Sequence, residues 1–597
     1  MRTRSLGASA LMVLALFGQA RSAAADVVWR GWDQSVFADA KAQNKLVILD
    51  LKAVWCHWCH VMEETTYSDG NVAKLLSDKF ISVQVDQDAN PDLSNRYGDW
   101  GWPATIVFAP DGTELAKLQG YVPPERFGPL LEAFVADPTP GPSAQAALTI
   151  KPAATAVLTV AQRDDLRKRN VEAFDTEHGG WGDGQKFIDA DAMDLLLAQA
   201  QAGDATAAAR ARKTFDAALH LIDRVDGGIY QYSDQADWLS PHYEKIMFFQ
   251  AAALRQYSAA YAMWGDPAYS RAAHDIYRYL TTILRTSSGA FATSQDADVD
   301  AKMHGKEYYA LDAAARRALG RAPRIDTNTY ARENGWAIQG LVAYYAATGE
   351  TAALDAATAA ARATIATRGR DGGGYRHGET DRGGPYLGDT LAMGQAAIDL
   401  YAATGDRAWM ETASKAGAFI TANFVDAKGG IMTTAAAEAG LATFQQSAKP
   451  LEEQIMVARF ANRLNRYTSD KSARELGEHV MRYLASPELF ERGMPLAGVL
   501  VADTELAAEP THIIIVGNKD DATARTLHAA ALAYPSNYKR VDWWDRREGA
   551  MTNPDVTYPE LDSAAAFACS SSICSLPAFT PAELTERVAR LSEVPTR

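Results

Sequence analysis

Between residues 141 and 508 one piece of punctuation recurs five times, and that recurrence limits the fold more than any single motif. Ala202-Gly203-Asp204, Trp264-Gly265-Asp266, Thr348-Gly349-Glu350, Thr404-Gly405-Asp406 and Thr468-Ser469-Asp470 each separate two alanine-rich amphipathic stretches. Glycine takes the left-handed conformation that ends a helix without steric cost, and an acidic residue after it caps the next helix. Each junction is therefore expected to be a tight αα-hairpin. Their starts fall 62, 84, 56 and 64 residues apart, an irregular repeat. Between them lies a second set of glycine loops, beginning at Gly179, Gly227, Gly289, Gly372 and Gly429. The two sets divide the helices into six at about 154–173, 206–224, 267–286, 351–367, 407–423 and 471–485, and six at about 190–202, 242–263, 331–348, 389–404, 452–467 and 495–506. Closed, six such hairpins make an (α/α)6 toroid; left open, they make a solenoid with the same repeat signature.

In a toroid the long glycine loops rim one mouth, so their polar residues are the candidate pocket. Asp183 and Lys186 come from the first loop; His242, Glu244 and Lys245 from the second; Asp296 and Asp298 from the third. Glu333 with Trp336, then Asp389 with Tyr386, lie further round. Each alone reads more readily as a helix cap or a solvated loop charge than as a pocket residue. Together, a histidine, carboxylates and aromatics around a concave mouth suit a carbohydrate or other polyhydroxylated ligand.

Upstream the texture is different. Residues 47–62 run from a β-branched apolar stretch straight into Cys56-His57-Trp58-Cys59 and then a helical pattern, which describes a strand, a tight turn and a helix N-terminus. A thiol there sits at the positive end of the helix dipole, which favours the thiolate, so Cys56 is the expected nucleophile. Cys59, one turn on, is placed to resolve a mixed disulfide, and a protonated His57 would stabilise the thiolate further. Strands at 80–86, 104–108 and 115–119 follow, and Pro103 stands immediately before the second of these. A thioredoxin-like fold needs a proline there, with its X-Pro bond cis, packed against the C-x-x-C. The competing readings are an inert structural disulfide and half of a metal site, Cys56, His57, Cys59 and His60, for which no second C-x-x-C or H-x3-H supplies the other half. No metal and no cofactor are expected.

The formal charge of −15 and the lack of any basic stripe disfavour a nucleic-acid partner. Arg2 and Arg4, the apolar stretch 8–17 and Ala23-Ala24-Ala25 read as a cleavable targeting segment, too short to span a bilayer. Cleavage would remove three arginines and no acid, taking the charge to −18 and the chain to the periplasm or the exterior, not membrane-spanning once processed. An oxidising compartment permits disulfides among Cys56, Cys59, Cys569 and Cys574. The last two read as a local disulfide pinning the tail or as a second redox pair. Prolines 138, 140 and 142 mark a linker, and 511–517 with 520–533 and 540–544 read as a small α/β unit. The expected organisation is a signal peptide at 1–25, a thioredoxin-like domain at 26–140, the toroid at 141–508 and an α/β extension at 509–597.

Taken together, W-C-H-W-C-H-V-M-E at 55–63, G-W-P at 101–103, G-G-W-G at 179–182, W-L-S-P-H-Y-E-K at 238–245, S-Q-D-A-D at 294–298 and the terminal cysteine pair resemble the thioredoxin-domain family typified by spermatogenesis-associated protein 20. The resemblance implies an N-terminal thioredoxin-like domain fused to a six-hairpin toroid similar to sugar epimerases and glycosidases. Gln185-Lys186-Phe187-Ile188 departs from the family's Pro-Lys-Phe-Pro, and Gln119-Gly120-Tyr121 is closer to exported thiol–disulfide exchange domains. The leading expectation is an exported thiol–disulfide oxidoreductase acting on a protein thiol or disulfide partner. A carbohydrate-active enzyme using His242, Glu244 and Asp296 is the alternative, and a non-catalytic interaction protein the third.

Overall fold

A computed structural model describes residues 27–33, 35–144, 150–380, 383–435, 447–551, 553, 556–570 and 573–592. The expected targeting segment, 1–25, lies outside them. The N-terminal unit runs α1 (Ser35–Gln43), β1 (Leu46–Lys52), α2 (His57–Thr65), α3 (Gly70–Lys79), β2 (Phe80–Asp86), α4 (Pro91–Tyr97), β3 (Ala104–Phe108), β4 (Glu114–Gln119) and α5 (Pro124–Ala136). The sheet order is β2-β1-β3-β4, with β1 parallel to β2 and antiparallel to β3. Being central, β1 is buried on both faces, which is why it reads as an unbroken apolar run. Val47, Leu49 and Leu51 meet Phe37 of α1, whereas Ile48 meets Met62 of α2 and Phe127 of α5.

The helices of residues 160–507 form two concentric sets. The inner set is Ala190–Gln201, Met247–Trp264, Ala331–Thr348, Leu387–Thr404, Leu451–Thr468 and Ala497–Ala507; each packs on the next, and the last packs back on the first. The ring is closed, so the architecture is the (α/α)6 toroid and not an open solenoid. Val160–Glu172 packs on Ala497–Ala507, making the sixth hairpin from the two ends of the repeat. Arg459 bridges the seam, reaching Asp194 at 3.1 Å and Glu505 at 2.9 Å on the two inner helices it joins. At the hairpin junctions Gly265, Gly349 and Gly405 adopt left-handed conformations, and Asp266, Glu350 and Asp406 cap the following helices. The helix expected from 242 starts at Met247 instead. Residues just before it are drawn into short strands, Pro241–His242 against Tyr232–Ser233 and Lys245–Ile246 against Ser294–Gln295.

The C-terminal unit is the small α/β extension expected, built on a four-stranded sheet. Thr511–Val516 lies parallel to Lys539–Trp544 and antiparallel to Ala565–Ser570, which pairs with Ile573–Cys574. Helix Ala522–Ala533 links the first two strands, and Pro581–Ser592 follows the last. Strand order, directions and helix placement repeat those of β2-β1-β3-β4, without a C-x-x-C after the central strand. The Cys569–Cys574 disulfide joins directly paired residues of the final two strands, with Cα atoms 4.1 Å apart. The two units occupy opposite ends of the toroid. Lys519 and His528 donate to the carbonyls of Gly405 and Ala402 at the short-junction end, while the N-terminal unit covers the glycine-loop mouth. Among the described residues no helix is long and apolar enough to cross a membrane.

Candidate active site between the thioredoxin-like domain and the toroid mouth

Cys56 is the N-cap of α2, and its Sγ accepts the Cys59 backbone N–H at 3.1 Å. The two sulfurs are bonded, with Cα atoms 5.3 Å apart. Ahead of β3 the Trp102–Pro103 bond is cis. Trp58 is 41% exposed and stacks on Tyr121, leaving an open aromatic face beside the disulfide. The disulfide itself is covered, with Cys56 3% and Cys59 2% exposed, because Trp102 and the toroid's Ile246 pack over it.

The same helix meets the toroid through its histidines. His57 Nδ1 donates to Asp298 Oδ2 at 2.5 Å, and its backbone N–H points at Glu244 Oε1, 3.4 Å away. The Asp298 hydrogen bond holds the His57 imidazole above its usual pKa against the opposing effect of burial. Burial would push Asp298 up, but His57 wins and holds it below the ordinary carboxylate range. His60 lies 3.8 Å from Asp296 and is pushed down by burial. Asp296, buried beside the charges of Asp298 and Glu244, is pushed up to about 7. His242 pairs with Asp234 at 2.7 Å and lies 3.5 Å from Glu244; burial lowers its pKa, and the two carboxylates more than restore it.

A second group surrounds a cavity of about 180 Å³ at the toroid axis, lined by Phe248, Arg332, Trp336, Glu453 and, from α4, Asn95. Asn95 donates to Thr433 Oγ1 at 2.5 Å and Glu453 Oε1 at 3.1 Å, so the thioredoxin-like domain closes this cavity as well. Burial pushes Glu453 up to about 7 despite Thr433, Arg332 and Asn95. Glu333 grips Arg332 at 2.7 Å, and Asp389 accepts from Arg332 N and His377 Nδ1, both at 2.9 Å.

The nine candidate pocket residues thus separate. Glu244, Asp296 and Asp298, with His242 behind them, face the C-x-x-C helix, whereas Glu333 and Asp389 buttress the axial cavity through Arg332. Lys245 is fully buried, bonded to Asp223 at 2.7 Å and the Gly227 carbonyl, with Tyr279 and Tyr309 against its ammonium. Lys186 is 1% exposed and paired with Asp175 at 2.9 Å, and Asp183 lies exposed on the surface. These three do not enter either group.

Sequence reasoning passed over Asn95, His304, Arg332, Glu453 and Asp50. Asp50 stands six residues before Cys56 inside β1, 2% exposed, accepting from Tyr67 Oη and Gln84 Nε2 at 3.0 Å each. Burial pushes its carboxyl up to about 6. An acid inside an apolar strand was the available signal.

Residues 19–132 match the family described as "Protein of unknown function, DUF255", and residues 248–486 match "Beta-L-arabinofuranosidase, GH127 catalytic domain". Human spermatogenesis-associated protein 20 is 28% identical over 312 residues, 46% of this chain and 39% of that protein. The chain is a relative of spermatogenesis-associated protein 20. The match spans about two fifths of the length of that protein and of its mouse counterpart. The thiol:disulfide interchange protein DsbD of Pseudomonas fluorescens is 33% identical over 84 residues, 14% of each chain. Among solved structures, cellobiose 2-epimerase from Bacillus thermoamylovorans superposes with a TM-score of 0.43 at 11% identity, covering 54% of this chain and 86% of that one.

Proposed function

We propose that the protein is an exported thiol–disulfide oxidoreductase in which Cys56 attacks and Cys59 resolves. The observation that carries this is the placement of Cys56 Sγ at the start of α2, accepting an N–H that would equally favour its thiolate. In the reducing direction the Cys56 thiolate attacks a partner disulfide, forming a mixed disulfide and expelling one partner thiolate. Cys59 then attacks Cys56 and releases the second, so the partner gains two electrons and this chain ends oxidised. A second protein dithiol resets it by the reverse exchange. The local similarity to DsbD supports this chemistry. Because Cys56 is 3% exposed, a protein substrate reaches it only when the thioredoxin-like domain lifts from the toroid mouth. Cys56→Ser should abolish dithiol-dependent reduction of a protein disulfide, and activity equal to wild type would dispose of the assignment.

The axial cavity favours a second reading, a polyhydroxylated ligand held between Trp336, Arg332 and Glu453. A sugar that occupies it would raise the unfolding temperature of wild type and not of Trp336→Ala.

A further inference from the structure

The sequence offers half a metal site in C-H-x-C-H; the other half comes from the toroid, some 240 residues away. His57 and His60 are three apart on α2, so both imidazoles leave the same face of the helix. Opposite them, Asp296 and Asp298 project from the loop after Ser294–Gln295, which is fastened by the Gly305 N–H donating to Asp298 Oδ1 at 2.8 Å. That bond brings in His304, the N-cap of Gly305–Tyr309. Two sets result, His57 with Asp298 and His304, and His60 with Asp296 and Asp298; within each, the possible ligand atoms all lie within 4.8 Å of one another.

The spacing is close to what a cation needs. Ligand atoms bound tetrahedrally at zinc distances stand about 3.4 Å apart. His304 Nδ1 is 3.4 Å from Asp298 Oδ2, and His60 is 3.8 Å from Asp296; the His57 to Asp298 contact, at 2.5 Å, would have to open slightly. A second feature points the same way. Glu244 is 3% exposed and faces this group through Oε1, its Oε2 lying 3.5 Å from His242 Nδ1, while His304 Nδ1, turned toward Asp298 Oδ2, is shielded from solvent and makes no hydrogen bond. Three buried carboxylates thus share one small space with histidines and Arg324 as their counter-charges, an arrangement that favours a cation.

We infer that Asp298 anchors a zinc-class divalent cation, ligated by His57 from the thioredoxin-like domain and His304 from the toroid, with His60 and Asp296 completing its surroundings. Imidazole nitrogen with carboxylate oxygen suits zinc or a neighbouring first-row ion, and suits calcium or magnesium poorly. Such an ion pins the thioredoxin-like domain on the toroid mouth and so keeps Cys56 covered, which makes metal occupancy a brake on disulfide exchange.

The test uses the full-length oxidised protein, in which both cysteine pairs are disulfides and cannot hold the ion. Stripped with a chelator and titrated with Zn²⁺ by calorimetry, it should bind one ion per chain with micromolar or tighter affinity. Asp298→Asn should weaken this at least ~10-fold, and so should His304→Ala, at a half-exposed residue whose loss leaves the fold intact. Cys56→Ser/Cys59→Ser should bind as wild type does. No binding by wild type, or unchanged affinity in His304→Ala, would overturn the proposal; neither result depends on redox activity.

Discussion

Replacing Asp50 by asparagine should change the stability of the thioredoxin-like domain in a pH-dependent way. The carboxyl titrates at about 6 in the folded chain against an ordinary 3.8, because burial in β1 outweighs its bonds from Gln84 and Tyr67. The folded state therefore holds the proton more tightly than the unfolded one, so stability is greatest below pH 4 and falls as pH rises through about 6. Fully developed, the loss is about 3 kcal/mol, a factor of about 150 in the opening equilibrium. The asparagine amide introduced there keeps the Tyr67 bond, a flipped Gln84 amide can meet its Nδ2, and it carries no charge to bury. Global denaturation of three packed units is not two-state, so hydrogen exchange of the peptide covering Leu46–Lys52 in the full chain is the suitable assay. The ratio of protection in Asp50→Asn to that in wild type should rise about 60-fold between pH 4 and pH 8. A ratio independent of pH would refute the reasoning, because the buried carboxyl would then titrate as it does unfolded.

Two further substitutions probe the toroid. Lys245→Met removes one of the two cations on buried Asp223, which keeps Arg316 at 2.8 Å, and should cost about 1.5–3 kcal/mol, seen as a lower unfolding temperature; an unchanged midpoint would return Lys245 to the pocket residues. Gly335→Ala sets a Cβ 2.6 Å from the Ala392 carbonyl carbon, between neighbouring inner helices, and should cost about 1–3 kcal/mol. Calorimetry should place that loss in the transition of the toroid.

What the sequence made legible was local. The helix pairs at 331–348 with 351–367 and 389–404 with 407–423 follow from glycine and acid at each junction, and the structure has Ala331–Thr348 with Thr351–Arg368 and Leu387–Thr404 with Arg407–Phe424. Ring closure was not legible, since it depends on Ala497–Ala507 meeting Ala190–Gln201 across roughly three hundred residues. Lys186 and Lys245 read as mouth residues because a cation beside a glycine loop looks the same whether it faces solvent or a buried aspartate. The pairing of His57 with Asp298 joins two separately recognisable motifs, and only folding sets them face to face. The repeated strand order of the C-terminal unit was not legible because its third strand, Ala565–Ser570, is alanine-rich, its fourth has two residues, and nothing occupies the position of the C-x-x-C.

Redox function requires the Cys56–Cys59 bond to be exchangeable in the folded protein. Equilibrating the native chain against graded dithiothreitol mixtures, alkylating, and locating the free thiols by mass spectrometry reads this directly. Cys56 and Cys59 should open together in one two-electron step, and Cys59→Ser should trap a mixed disulfide at Cys56. If both sulfurs stay bonded until the protein is unfolded, the pair is a structural staple and the redox assignment is wrong.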